Sequence, residues 1–195
     1  GFQSAAAGEI SARLKGVSEI KAADLRPLLA SFMPLLKDRL DGNISGQTEY
    51  EVTLGAGDTL AQSLKAAADT TIQRGAIKDF NILSQLLLRG SGSSVSAEAK
   101  ARLPAALIDL AKHNDTRFDT LKSNFTIEKG RISTANLILA TPDYTVTGAG
   151  WFALDRTTRW NGLLVLSPRL TQEIQRDYRW IRRLLDRRGR LAIPF

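Results

Sequence analysis

The sequence contains no cysteine and a single histidine, His113. A disulfide framework is thereby excluded, as are zinc sites built from Cys and His pairs. Long apolar runs are missing too. Nothing approaches the roughly 18 residues that a membrane-spanning helix needs, and the first residues lack a basic region followed by an apolar one. The phosphate-cradling patterns GxxxxGKS/T and GxGxxG do not occur; Gly55-Ala-Gly57-Asp58 has the glycines without the remainder of either and reads as a turn. Gly42-Asn-Ile-Ser-Gly46 places its serine one position too late for a nucleophile elbow. With one imidazole in the chain a serine nucleophile has a single candidate base, and His113, near a helix end, reads more simply as a surface or capping residue. Asp115 and Asp119 could serve acid–base chemistry, yet no second pair stands at a recognisable spacing, which favours a turn cap and a solvated face. The expectation is a non-enzymatic protein without catalytic, cofactor-binding or metal-ligating residues.

What is present is apolar material, 43% of 195 residues, enough for a sizeable core in one domain at roughly 150 residues per domain. The stretch from Asp115 to Pro168 organises it and reads as three or four antiparallel strands joined by tight turns. Phe125-Thr-Ile127 and Ile132-Ser-Thr134 flank Glu128-Lys-Gly-Arg131, and a glycine after a polar residue suits the left-handed backbone of a short hairpin turn. The first corner is therefore Lys129-Gly130. Thr141-Pro-Asp143 makes a second break and Leu154 to Arg159 a third, because proline lacks a ladder donor while Asp and Thr hydrogen-bond their own backbone. Tyr144, Val146, Phe152 and Leu154 share one parity, which gives the meander an apolar face with Gly148 and Gly150 as thin spots.

Elsewhere the pattern alternates between strand and helix. Glu9 to Val17 and Gly42 to Leu54 read as strands. Asp24 caps a helix whose apolar stripe runs from Leu25 to Leu40, with Pro34 expected to kink or split it. Asp58 to Lys65 suggests one or two helical turns, Thr71 to Ile77 a strand, a Gly75 corner and a second strand, and Asp79 to Arg89 a short helix. Asp58, Leu64, Ile72, Gly75, Ile77 and Asn81 match Asp115, Leu121, Ile127, Gly130, Ile132 and Asn136 in order, as a unit used twice would. Gly90-Ser-Gly-Ser-Ser94 is the flexible stretch between the halves, and Ser96 to His113 is a helix interrupted near Pro104.

Net charge is +7, and most of it is local: from Arg169 to Arg190 eight arginines face three acids. Over Pro168 to Gly189 the stripe Leu170, Ile174, Tyr178, Ile181 and Leu185 opposes Arg176, Arg179, Arg183 and Arg187, the form of a helix lying at an anionic membrane surface. A helix docked on the sheet with its arginines in water has the same form. Nucleic acid is an alternative partner for the charges but is not the expected one.

Asp115-Thr-Arg-Phe118, Phe125-Thr-Ile127, Lys129-Gly130, Ile132-Ser-Thr134, Thr141-Pro142, Gly148-Ala-Gly150, Leu154-Asp155 and Leu163-Leu-Val165, taken in that order, resemble the carboxy-terminal region of the AsmA family of bacterial envelope proteins. Gly55, Gly57, Asp58, Leu60, Ser63-Leu64, Gly75-Ala-Ile77 and Phe80-Asn81-Ile82 resemble the block before it. The Arg-rich segment after Val165 is not part of that pattern. The resemblance implies a periplasmic domain, anchored to the inner membrane through a segment absent from this piece, that acts in outer-membrane biogenesis or phospholipid transport.

The expected fold is α+β: a curved antiparallel β-sheet of two related meander halves, packed with amphipathic helices at 24–40, 96–113 and 169–188. Residues 1–89 form the first half, 90–95 the hinge and 96–195 the second, within one compact domain. Leu137, Leu139, Val146, Phe152 and Leu154 are the candidates to line a lipid face, and Arg176, Arg179, Arg183 and Arg187 to meet anionic headgroups. The expected partner is phospholipid or a membrane surface; the rival reading is a scaffold that captures outer-membrane protein strands along a free sheet edge.

Overall fold

Alternating side chains and β-branched residues draw most of the chain into strands. The computed structural model describes residues 12–32, 37–54, 63–88, 104–153 and 157–195. Its eight strands are β1 (Ala12–Asp24), β2 (Leu40–Leu54), β3 (Leu64–Ile77), β4 (Thr116–Glu128), β5 (Arg131–Ala140), β6 (Tyr144–Ala153), β7 (Thr158–Leu166) and β8 (Ala192–Pro194). They form one antiparallel sheet in which spatial order equals chain order. In such a meander alternate connections fall at the same end, and four described α-helices and a 3-10 helix lie at one of the two ends. These are α1 (Leu25–Phe32) between β1 and β2, α2 (Ile82–Leu88) and α3 (Ala105–Ala111) between β3 and β4, and α4 (Pro168–Asp177) with a 3-10 helix (Arg179–Leu184) between β7 and β8. The other end carries the two-residue turn Lys129-Gly130, where φ is +50° and +70°, the left-handed pair such a hairpin requires.

The core is a register row. Ala23, Ile44, Ile72, Leu121, Leu139, Val146, Leu164 and Ile193 stand directly opposite one another across all eight strands. Opposed residues share a face, so the row is an unbroken aliphatic band on one side of the sheet. Leu25 and Leu29 of α1, Leu83 of α2, Leu107 of α3, Leu170 and Ile174 of α4 and Ile181 of the 3-10 helix join it in one buried cluster. Polar side chains fix the helix ends. Asp24 accepts from the Arg26 amide at 3.0 Å and Ser167 from the Leu170 amide at 3.3 Å, while Pro168 fills the first position of α4. Buried Asn81 accepts from Ser84 N and donates to the carbonyls of Leu110 and His113, clamping the start of α2 onto the end of α3.

Several expectations are corrected. The stretch from Thr71 to Ile77 has no corner: it belongs to one strand, and Gly75 is needed because a side chain there would meet the Asp41 carbonyl and the Phe118 ring. Since Gly75 sits inside β3 and Gly130 in a turn, the two matched stretches are not the same structural unit. Leu64 and Lys65 begin β3 rather than ending a helix. Of the helix expected over 24–40 the described residues hold α1 and then a turn at 37–39, Leu40 opens β2, and Pro34 is outside them. β1 continues past Val17 to Asp24 through a bulge where Ala22, at φ +48°, hydrogen-bonds Ser45 Oγ.

The long basic helix is also broken. α4 ends at Tyr178 (φ −130°, ψ 82°), and a 3-10 segment follows. The reason is tertiary. Twenty-odd residues of straight helix would travel roughly 30 Å, whereas Leu191 must return to hydrogen-bond Leu166 N and Thr171 Oγ1 beside the helix start. Residues 1–11, 33–36, 55–62, 89–103 and 154–156, with Pro34, the expected hinge, Asp58 and Leu154, lie outside the described residues.

Tyr144 provides a test of core burial. Burial pushes its phenol up to about 12 from 10.0, with a hydrogen bond to Thr116 opposing. Because the unfolded chain ionises first, stability is fully present below pH 10 and falls as pH rises toward 12, by on the order of 2 kcal/mol. Tyr144→Phe should remove that alkaline limb in urea titrations at pH 9 to 12; an unchanged limb would show that Tyr144 does not carry it.

Candidate apolar binding face

The helix-bearing side of the sheet extends past the helices. Counting outward along the same parity, a second row places Gly16, Tyr50, Ala66, Ile127, Ile132, Phe152 and Thr158 opposite one another across β1 to β7. A row between them holds Ser18, Thr48, Ala68, Phe125, Thr134, Gly150 and Trp160. Tyr50, Phe125, Ile127, Ile132 and Phe152 lie outside the buried core cluster. Rings lie flat against the sheet here: Tyr50 over Gly16 and Trp160 over Gly150, each closer than a side chain on the glycine would permit. The polar atoms on this surface satisfy one another. Buried Ser123 Oγ and Thr134 Oγ1 are 2.6 Å apart, and among the described residues no buried side-chain polar atom lacks a partner.

The opposite side of the sheet is a solvated face. Lys15, Glu51, Lys65, Glu128 and Arg131 follow one another across β1 to β5 with alternating sign. Glu51 pairs with Arg13 at 2.6 Å and Lys15 at 3.1 Å, Lys65 with Glu128 at 3.4 Å, and Arg131 lies 4.4 Å above the Trp151 ring. Hydrogen bonding from Lys15, and then from Arg13, holds the Glu51 carboxyl below its ordinary value. Exposed pairs of this kind add little stability, but they mark which side water occupies.

The candidate residues separate on this frame. Leu139 and Val146 belong to the row beneath the helices, 1% and 4% exposed, so they support the surface from within and are closed to a ligand. Leu137 is half-buried against the same cluster. Phe152, 37% exposed, lies in the outer row, and Leu154 is outside the described residues. Tyr50, Ile127 and Ile132 were not singled out from the sequence, although a two-residue turn at Lys129-Gly130 necessarily sets Ile127 opposite Ile132. Of the arginines, Arg176 is exposed on α4, Arg183 on the 3-10 helix and Arg187 in the turn beyond it, so they do not form one helical stripe; the Arg179 side chain is outside the described residues.

His113 is exposed with Nδ1 3.3 Å from Leu110 O, and Asp115 accepts from the Asp79 amide at 2.8 Å. Both positions are thus engaged at helix and turn ends. Among the described residues no group of three or more His, Cys, Asp or Glu side chains could hold a metal ion, and no helix is long and apolar enough to cross a membrane. Comparison of the chain with protein families, curated proteins and solved structures finds no match.

The two rows should respond differently to truncation. Leu139→Ala is expected to cost about 2 to 5 kcal/mol by cavity formation, and Phe152→Ala under about 1 kcal/mol. Urea denaturation of both variants measures the difference; equal losses would place Phe152 in the core.

Proposed function

We propose that this chain is a non-enzymatic, AsmA-like periplasmic domain that handles phospholipid in outer-membrane biogenesis, with the outer rows of its helix-bearing face as the hydrocarbon surface. One observation carries the reading: Tyr50, Ile127, Ile132 and Phe152 are aligned in register yet excluded from the core. Four strand spacings of about 4.8 Å, from β2 to β6, make that row roughly 19 Å wide, and acyl chains are held by contact area at about 0.8 kcal/mol per buried CH₂ without polar recognition. In the proposed form the sheet curves around this face as a shallow trough, and the anchoring segment lies elsewhere in the parent protein. The family resemblance rests on the turn and glycine positions named above; Lys129-Gly130 and Thr141-Pro142 do occupy β-turns here.

The rival reading, capture of an outer-membrane protein strand, draws on β1, a thirteen-residue strand at the margin of the sheet. Against it, β1 carries Arg13, Lys15 and Lys21 and a bulge, devices by which proteins discourage edge pairing.

Native mass spectrometry after mild extraction tests the choice. Co-purifying phospholipid is expected, lost in Ile132→Glu and Phe152→Glu but retained in Ile138→Glu, whose side chain is exposed on the opposite face. A clean apo mass, with thermal stabilisation by an extended peptide instead, would overturn the lipid reading in favour of strand capture.

A further inference from the structure

Beyond α4 the chain builds a small basic arm. Leu185 bridges Leu191, Asp186 N donates to Arg190 O at 2.8 Å, and Gly189, at φ +70°, donates back to Asp186 O at 2.9 Å. The arm is a tight hairpin with Arg187 and Arg188 at its tip. Asp186, the only acid between residues 179 and 190, is consumed inside it. Its carboxylate accepts from Arg188 N at 2.8 Å, Arg190 N at 2.9 Å and Arg190 Nε at 3.0 Å, and pairs with Arg190 Nη2 at 2.9 Å.

That leaves four cations uncompensated. Among the described residues Arg182, Arg183, Arg187 and Arg188 are exposed and make no ion pair, whereas Arg169 is held by Asp143 at 2.7 Å and Arg190 by Asp186. Among them stands Leu184, 42% exposed, while its neighbour Ile181 is buried in the core. Leu184 is thus an aliphatic side chain left in water in a segment whose arginines are exposed. It is the arrangement that an anionic bilayer satisfies, with phosphates taking the arginines and the interface taking the leucine.

We propose that residues 182–188 form a peripheral docking point for an anionic phospholipid bilayer, with Arg182, Arg183, Arg187 and Arg188 on headgroups and Leu184 inserted. The assignment rests on the proposed function only in its choice of phospholipid. The hydrocarbon face lies toward the opposite end of the strands and is a separate site. A duplex nucleic acid would use the arginines but has no place for Leu184.

Flotation of the whole chain with vesicles of phosphatidylglycerol and phosphatidylcholine in equal parts, against phosphatidylcholine alone, is the test. Binding is expected only to the anionic vesicles and should weaken as salt rises. Each arginine near the surface contributes about fivefold, so Arg187→Gln with Arg188→Gln should lower binding roughly twenty-five-fold. Arg117→Gln with Arg159→Gln removes the same charge from exposed strand positions and should leave binding within about twofold. Leu184→Ser should reduce the binding that persists at high salt. Ile132→Glu, which strips lipid from the sheet face, should not change flotation, so the two proposals fail separately. Equal loss in the two double variants, retention of high-salt binding by Leu184→Ser, or tighter association with duplex DNA than with the vesicles would each overturn the assignment.

Discussion

One aliphatic residue from each strand, aligned across the full width of the sheet, is the contact on which the rest of the molecule depends. Because side chains alternate between faces, a slip of one residue in β2, β3, β4 or β6 would replace its member of the row with a polar neighbour: Gln73 or Thr71 for Ile72, Thr145 or Thr147 for Val146. Register, helix docking and the identity of the two faces are therefore set together. The described helices cluster at this end, where the connections after β1, β3 and β7 return. Past them the apolar parity continues into half-exposed aromatic and branched side chains. A stable domain and a half-exposed apolar surface thus arise from the same alternation.

Turn chemistry and parity were the legible part of this fold. Lys129-Gly130, Thr141-Pro-Asp143 and the strands they separate follow from local residues, because left-handed backbone and a missing donor are properties of single positions. The positions that misled are those where a distant partner decides. Gly75 resembles a corner until the Phe118 ring, more than forty residues on, is seen to need the space. The stripe from Leu170 to Leu185 fits a straight helix by periodicity, but the return of Leu191 to Leu166 breaks it at Tyr178. The candidate face was half legible. Parity identified the core side of β5 and β6, yet could not tell that Leu139 and Val146 are buried whereas Phe152 is 37% exposed, since burial depends on which connections fold back over the sheet.

Charge is distributed with the same asymmetry. Across the polar face, cations and anions are matched strand by strand, and the sheet itself carries little unbalanced charge there. The surplus sits beyond α4, where the one available carboxylate is spent on shaping a turn. The proposed lipid surface and the proposed docking point therefore use different physics at different places, contact area in one and unpaired cations in the other.

Finally, each strand bonds only to its predecessor and successor, so no pairing has to await a segment made much later. The costliest closure is the one that joins β3 to β4 around residues 78–115, and since the entropy of such a closure grows only slowly with its length, that span can vary in size at small cost. The remaining ladders can zip outward from short hairpins, a route that favours quick assembly for a protein so rich in sheet.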